Sequence, residues 1–158
     1  MSSKTLCYLV RAAVIAVAVC GLAMCGLFLP PLVADTAGEL FGLTESYCWL
    51  AFLWVSALPC FAILVYVWKC SDAIKNENVF RLRVARWVKH AAMLLFCDVV
   101  FFFLGNTVFW LIGLNHPSVL IASLLICVLG AALATAAAAV SRYITKAAAL
   151  QEEADGTI

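Results

Sequence analysis

The sequence predicts an all-α fold, an integral membrane four-helix bundle with both termini on the cytoplasmic side. Three observations predict it. Apolar residues make up 66% of the 158-residue chain and charged residues 12%, against roughly 45–50% and about 25% in soluble globular domains. The few charged residues leave four long runs almost untouched, and every Lys and Arg falls on one side of those runs. A chain this apolar has too little polar surface to cover itself in water. The same composition excludes intrinsic disorder and a disulfide-stapled secreted fold. A formal net charge of +1 selects no partner by overall electrostatics. Length predicts one domain over residues 1–158.

The runs come in order. Ala12–Ala34, Ser46–Trp68 and Pro117–Ser141 carry no charge, and Ala91–Leu114 carries only Asp98. Each is longer than the roughly 20 residues that cross a hydrocarbon core about 30 Å thick at about 1.5 Å per residue. Helices are expected, because a lone strand leaves its peptide groups unpaired in lipid. The first run exceeds the core of a signal peptide, roughly 7–15 residues, and Leu32 stands where a small residue is wanted if cleavage follows Ala34. It is therefore expected to be an uncleaved span. Pro59 is expected to kink the second span. Only Asn115 and His116 join the last two, which predicts a tight hairpin with Pro117 in the first turn of the fourth. Trp49, Trp54, Trp68, Trp87 and Trp110 mostly fall near span ends, as interfacial anchors do.

Orientation follows from the basic residues. Lys4 and Arg11 precede the first span, six Lys and Arg lie in the 69–90 loop, and Arg142 and Lys146 follow the fourth span. All 10 Lys and Arg are thus on one side, while the opposite loops hold Asp35, Glu39 and Glu45 or Asn115 and His116. The positive-inside rule makes that side cytoplasmic, in the plasma membrane. The 69–90 loop and the 142–158 tail are then both cytoplasmic.

Asp98 is the sharpest single feature. An ionisable group within a span costs about 2.5–3.5 kcal/mol on insertion scales, so it is expected to face other helices or water. Matching depth along the four spans picks out Cys20, Phe61 and Ala134–Thr135, which makes Thr135 the nearest-level hydroxyl. The simplest reading is a polar contact between helices. The alternatives are a snorkelling surface carboxylate and a proton- or cation-coupled site in a small transporter or channel subunit, which at four spans would need a homo-oligomer to enclose a path. The eight cysteines contain no Cys-x-x-Cys pair and read as small, polarizable packing residues. Gly130, Ala134 and Ala138 repeat at four-residue spacing, a small-residue pattern that lets helices approach closely.

In the 69–90 loop, a helix running into span three puts Arg83, Arg86, Lys89 and His90 on one arc and Phe80, Val84, Trp87, Val88 and Ala91 on the other. That suits an interfacial amphipathic segment, with Asn76 or Asn78 as its cap. The tail reads as a solvated segment. An enzyme is not expected: there are only two histidines, His90 and His116, no HExxH, no Gly-x-Ser-x-Gly and no phosphate-binding glycine loop. No cofactor or metal is expected, and no direct nucleic-acid binding, since no reading element accompanies the basic charges.

Two cytoplasmic stretches carry a resemblance. They read Ala73-Ile74-Lys75-Asn76-Glu77-Asn78-Val79-Phe80-Arg81-Leu82 and Leu150-Gln151-Glu152-Glu153-Ala154-Asp155-Gly156-Thr157-Ile158. With the four-span topology they resemble the bacterial domain-of-unknown-function family 2975, whose members have a Glu-Asn-Val-x-x-Leu stretch entering the third span and a Glu-Glu-x-Asp-x-Thr-Ile/Val ending. The resemblance implies no established activity. It does imply a cytoplasmic helix-turn-helix regulator as partner, because such a repressor is frequently encoded beside members of the family. Glu77, Asn78, Arg81, Arg83, Arg86, Glu152, Glu153 and Asp155 are then the interaction candidates, and the chain is expected to be an interaction or regulatory protein.

Overall fold

The structure is a computed structural model that describes residues 3–40, 43–75 and 81–155, with side chains described for 3–35, 46–75 and 81–153. Among these residues there is no strand. Helix α1 (Ser3–Ala23) passes through a π-helical turn, Met24–Phe28, into α2 (Leu29–Leu40); α3 (Leu43–Lys75), α4 (Leu82–Leu111) and α5 (Pro117–Asp155) follow. Four helical stretches are long and apolar enough to cross a membrane: Ser3–Asp35, Ser46–Lys75, Leu82–Leu111 and Pro117–Glu153. Their surfaces are apolar. Leu27 and Ile121 are 71% and 70% exposed, an arrangement that lipid tolerates and water does not.

Packing runs in sequence order. The α4–α5 pair is the most extensively packed, followed by α3–α4 and α1–α3. Each pair is antiparallel. Arg11 meets Ser71 and Asp72 while Cys25 meets Trp54. Tyr66 stacks on His90 while Trp49 stacks on Phe109. Ser141 meets Ala85 while Cys127 meets Val99. Arg11, Asp72, His90, Ala85 and Ser141 therefore share one end of the bundle.

The seam between α4 and α5 follows a seven-residue period. Cys127, Ala134 and Ser141 are buried on α5 opposite Val99, Ala92 and Ala85 of α4, and Ala148 continues the buried row beyond the start of α4. Small residues at every second turn bring the two backbones close, which supplies the dispersion that drives helix association in lipid. A Cβ on Gly130 would overlap a methyl of Val99. The expected four-residue pattern is thus corrected. Gly130 and Ala134 lie on the seam, but Ala138 is exposed, because 3.6 residues per turn carries a strict four-residue row around the helix.

The α4–α5 hairpin is tight, as expected. Leu114 N–H bonds Phe109 O and Gly113 N–H bonds Trp110 O, with Gly113 at φ +80°. This is a Schellman turn, which needs a left-handed residue after the helix. Asn115 Nδ2 then donates to Asn106 Oδ1 at 3.2 Å, and Trp49 Nε1 donates to Leu114 O at 2.9 Å. Nearby, Phe52 sits among the rings of Trp49, Phe101, Phe102 and Phe109, at centroid distances of 5.3–6.1 Å. A Cβ on Gly105 would overlap the Phe52 ring, so glycine is what admits that ring against α4.

Helix boundaries differ from the predicted spans. Helix α3 runs through Pro59 without a break. Helix α4 begins at Leu82 with Arg81 as N-cap and no side-chain cap bond, the Arg81 carbonyl accepting from Val84 and Ala85 instead. The proposed caps Asn76 and Asn78 lie outside the described residues. Residues 142–155 are not a solvated coil, since α5 continues through them and Ala148 is only 2% exposed. At 39 residues, α5 is about 58 Å long, well beyond the roughly 30 Å of a hydrocarbon core.

Candidate functional site

Asp98 lies on the face of α4 that meets α3, and it is buried. Ser56 and Cys60 stand one turn apart on α3 and point at it together. Ser56 Oγ donates to Asp98 Oδ1 at 3.0 Å, and Cys60 Sγ donates to Oδ2 at 3.5 Å. Each carboxyl oxygen thus has a donor. Among the described residues, no buried side-chain nitrogen or oxygen lacks a partner. Chemically this is a filled polar contact linking two spans.

The sequence-predicted partner is not there. Thr135 is exposed and its hydroxyl donates back to Ala131 O at 2.8 Å. Asp98 faces α3, whereas Thr135 stands beside the α4–α5 seam. Depth placed Phe61 level with Asp98, one residue from the true partner Cys60. What depth does not encode is azimuth: a one-residue step turns a side chain by about 100° around the helix.

A second site was missed by sequence reasoning. The Arg11 guanidinium pairs with Asp72, donates from Nε to Ser71 Oγ at 3.2 Å, and lies 4.9 Å from the centre of the Trp68 ring. Ser71 is fully buried and itself donates to Trp68 O at 2.8 Å. Arg11 therefore clamps α1 to the end of α3. Asp72, the acid nearest the end of the second charge-free run, was the signal that could have found it.

A third feature is a backbone repair. At the π-helical turn, Leu29 N–H reaches back to Met24 O, five residues away. That leaves Cys25 O to the N–H of residue 30, which is a proline and has none. Trp54 Nε1 from α3 donates to this carbonyl at 3.0 Å. Trp54 thus bonds to the helix that precedes α3, and Trp49 to the turn between α4 and α5.

The interaction candidates divide. Arg81, Arg83 and Arg86 are exposed at the start of α4, while Val84 and Ala85 behind them are buried. Glu152 and Glu153 are exposed on the α5 extension. Ser141 is level with Ala85, so these acids lie about 16 Å further along the axis. Glu77, Asn78 and the Asp155 side chain lie outside the described residues. The eight cysteines are free thiols, with Cys7 and Cys127 buried.

An all-helical chain with four apolar helices of spanning length, polar contacts between them and apolar side chains outward defines a small multi-pass membrane protein. Residues 6–158 match the model of the family described as Protein of unknown function (DUF2975), and the chain belongs to that family. No curated protein and no solved structure matches it.

Proposed function

We propose that this chain is a non-enzymatic protein of the bacterial plasma membrane, with both termini cytoplasmic, that acts by presenting a helical surface to a cytoplasmic regulatory partner. One observation carries this reading. Helix α5 continues as a helix far beyond the length of a span, with Ala148 buried, beside the exposed Arg81, Arg83 and Arg86 of α4. A span needs no such extension, and an ordered, charged helix end next to exposed arginines is a surface a protein can dock on. The family resemblance gives the partner's class, a helix-turn-helix regulator. A transport role for Asp98 draws less support, because Ser56 and Cys60 already occupy both its oxygens.

Crosslinking and pull-down from native membranes test the proposal. Replacing Arg81, Arg83 and Arg86 together with Gln is expected to abolish recovery of the partner while membrane insertion is unchanged. Recovery that survives both this triple replacement and deletion of residues 150–158 would refute the interaction reading.

A further inference from the structure

A groove of about 850 Å³ runs along the outer side of the α4–α5 seam at the end that carries Arg11 and His90. Its floor is made by the small seam residues Ala92, Ala134 and Ser141, which bring the backbones together and leave the flanking side chains standing as walls. Three cations surround one end of it: Lys89, Arg142 and Lys146. All three are exposed, no acidic side chain lines the groove, and among the described residues none of the three is in an ion pair.

Beyond the cations the lining changes character. Met93, Phe96 and Cys97 continue the groove inward, along a stretch that the charge-free runs place within hydrocarbon. From Arg142 to Thr135, both lining the groove, α5 rises about 10 Å. Ser141 is level with Ala85, so Lys89 starts about 7.5 Å nearer the bilayer centre than Arg142. Side chains lean toward their own helix N-terminus, which in this antiparallel pair carries Lys89 outward and Arg142 and Lys146 inward, toward headgroup level. A site with clustered cations at headgroup level and an apolar trough leading into the bilayer has the polarity of an anionic phospholipid. A soluble anion would use only the cationic end.

We infer that the α4–α5 groove binds an anionic phospholipid, its phosphate held by Lys89, Arg142 and Lys146 and an acyl chain lying along Met93 and Phe96. This inference needs the chain to span a membrane and does not need a cytoplasmic partner. Its failure is therefore separable from failure of the interaction proposal.

The test uses the purified full-length protein in detergent, titrated with phosphatidylglycerol or phosphatidylcholine, with retained lipid counted by native mass spectrometry. Phosphatidylglycerol is expected to be retained at about tenfold lower concentration. Lys89→Gln, Arg142→Gln and Lys146→Gln are each expected to weaken its retention about fivefold, with Lys89→Arg restoring it. Lys75→Gln, which removes an exposed cation outside the groove, leaves retention unchanged. Ala138→Phe, which fills the groove, weakens retention with every charge intact, and millimolar inorganic phosphate fails to displace the lipid. Equal retention of the two lipids, or an equal loss in Lys75→Gln, would overturn the inference. So would displacement by inorganic phosphate, which would make the site one for a free anion.

Discussion

Cys25 and Asp98 show how single polar atoms are settled in a chain with little polar material. The Cys25 carbonyl loses its helical donor to the π-helical turn and to Pro30, and Trp54 supplies the replacement from α3. Trp54→Phe keeps most of the ring but removes that donor, so a loss of about 1–2 kcal/mol is expected, read as a lower unfolding midpoint in detergent. An unchanged midpoint would mean that the carbonyl finds another donor. Asp98 is settled by Ser56 and Cys60. Ser56→Ala is expected to cost about 0.5–1.5 kcal/mol in the native background and almost nothing when Asp98 is already Ala. Equal costs in the two backgrounds would mean that the two side chains are not coupled. That Asp98 faces another helix was legible in the sequence, because a lone acid in a charge-free run has few other places to go. Its partner was not. Depth is a linear quantity that hydropathy marks, but the azimuth that chose Ser56 and Cys60 over Thr135 depends on which helices become neighbours.

At the scale of elements, the α4–α5 pair is held by residues chosen for smallness. Ala134 is buried on the seven-residue row while Ala138 is exposed. Ala134→Leu is therefore expected to overpack the seam and cost about 1–3 kcal/mol, whereas Ala138→Leu changes stability by less than about 0.5 kcal/mol. Both values are read from denaturant or thermal unfolding in detergent, and the reverse order would restore the four-residue row. The existence of a small-residue face was plain from Gly130 and the alanines that follow it. Its true period was hidden because nearly every residue from Ala131 to Ala139 is small, so several rows fit equally well. The polar residues break the tie. Cys127 and Ser141 are buried and lie seven residues before and after Ala134, on the row that it shares. The helical course of residues 142–155 was similarly hidden, since a basic-to-acidic tail reads as solvated until Ala148 is found covered.

For the whole molecule, four long helices in antiparallel order put the starts of α1 and α4 and the ends of α3 and α5 at a common end, with Arg11–Asp72, Tyr66–His90 and Ser141–Ala85 as cross-ties. That end holds the basic residues, which joins the packing to the charge asymmetry of the sequence. The number of spans was legible because hydrocarbon thickness sets a length that charge-free runs either meet or miss. The sequential packing of helices was less so, since hydropathy carries no record of which spans touch. Trypsin tests the arrangement most directly, because it cuts only after Lys and Arg and all 10 of these are assigned to the cytoplasmic side. In intact spheroplasts the chain is expected to survive uncut. In inside-out vesicles it is expected to be cleaved within 69–90, where Lys75, Arg81 and Arg83 are exposed. Cleavage within 69–90 in sealed spheroplasts would contradict it.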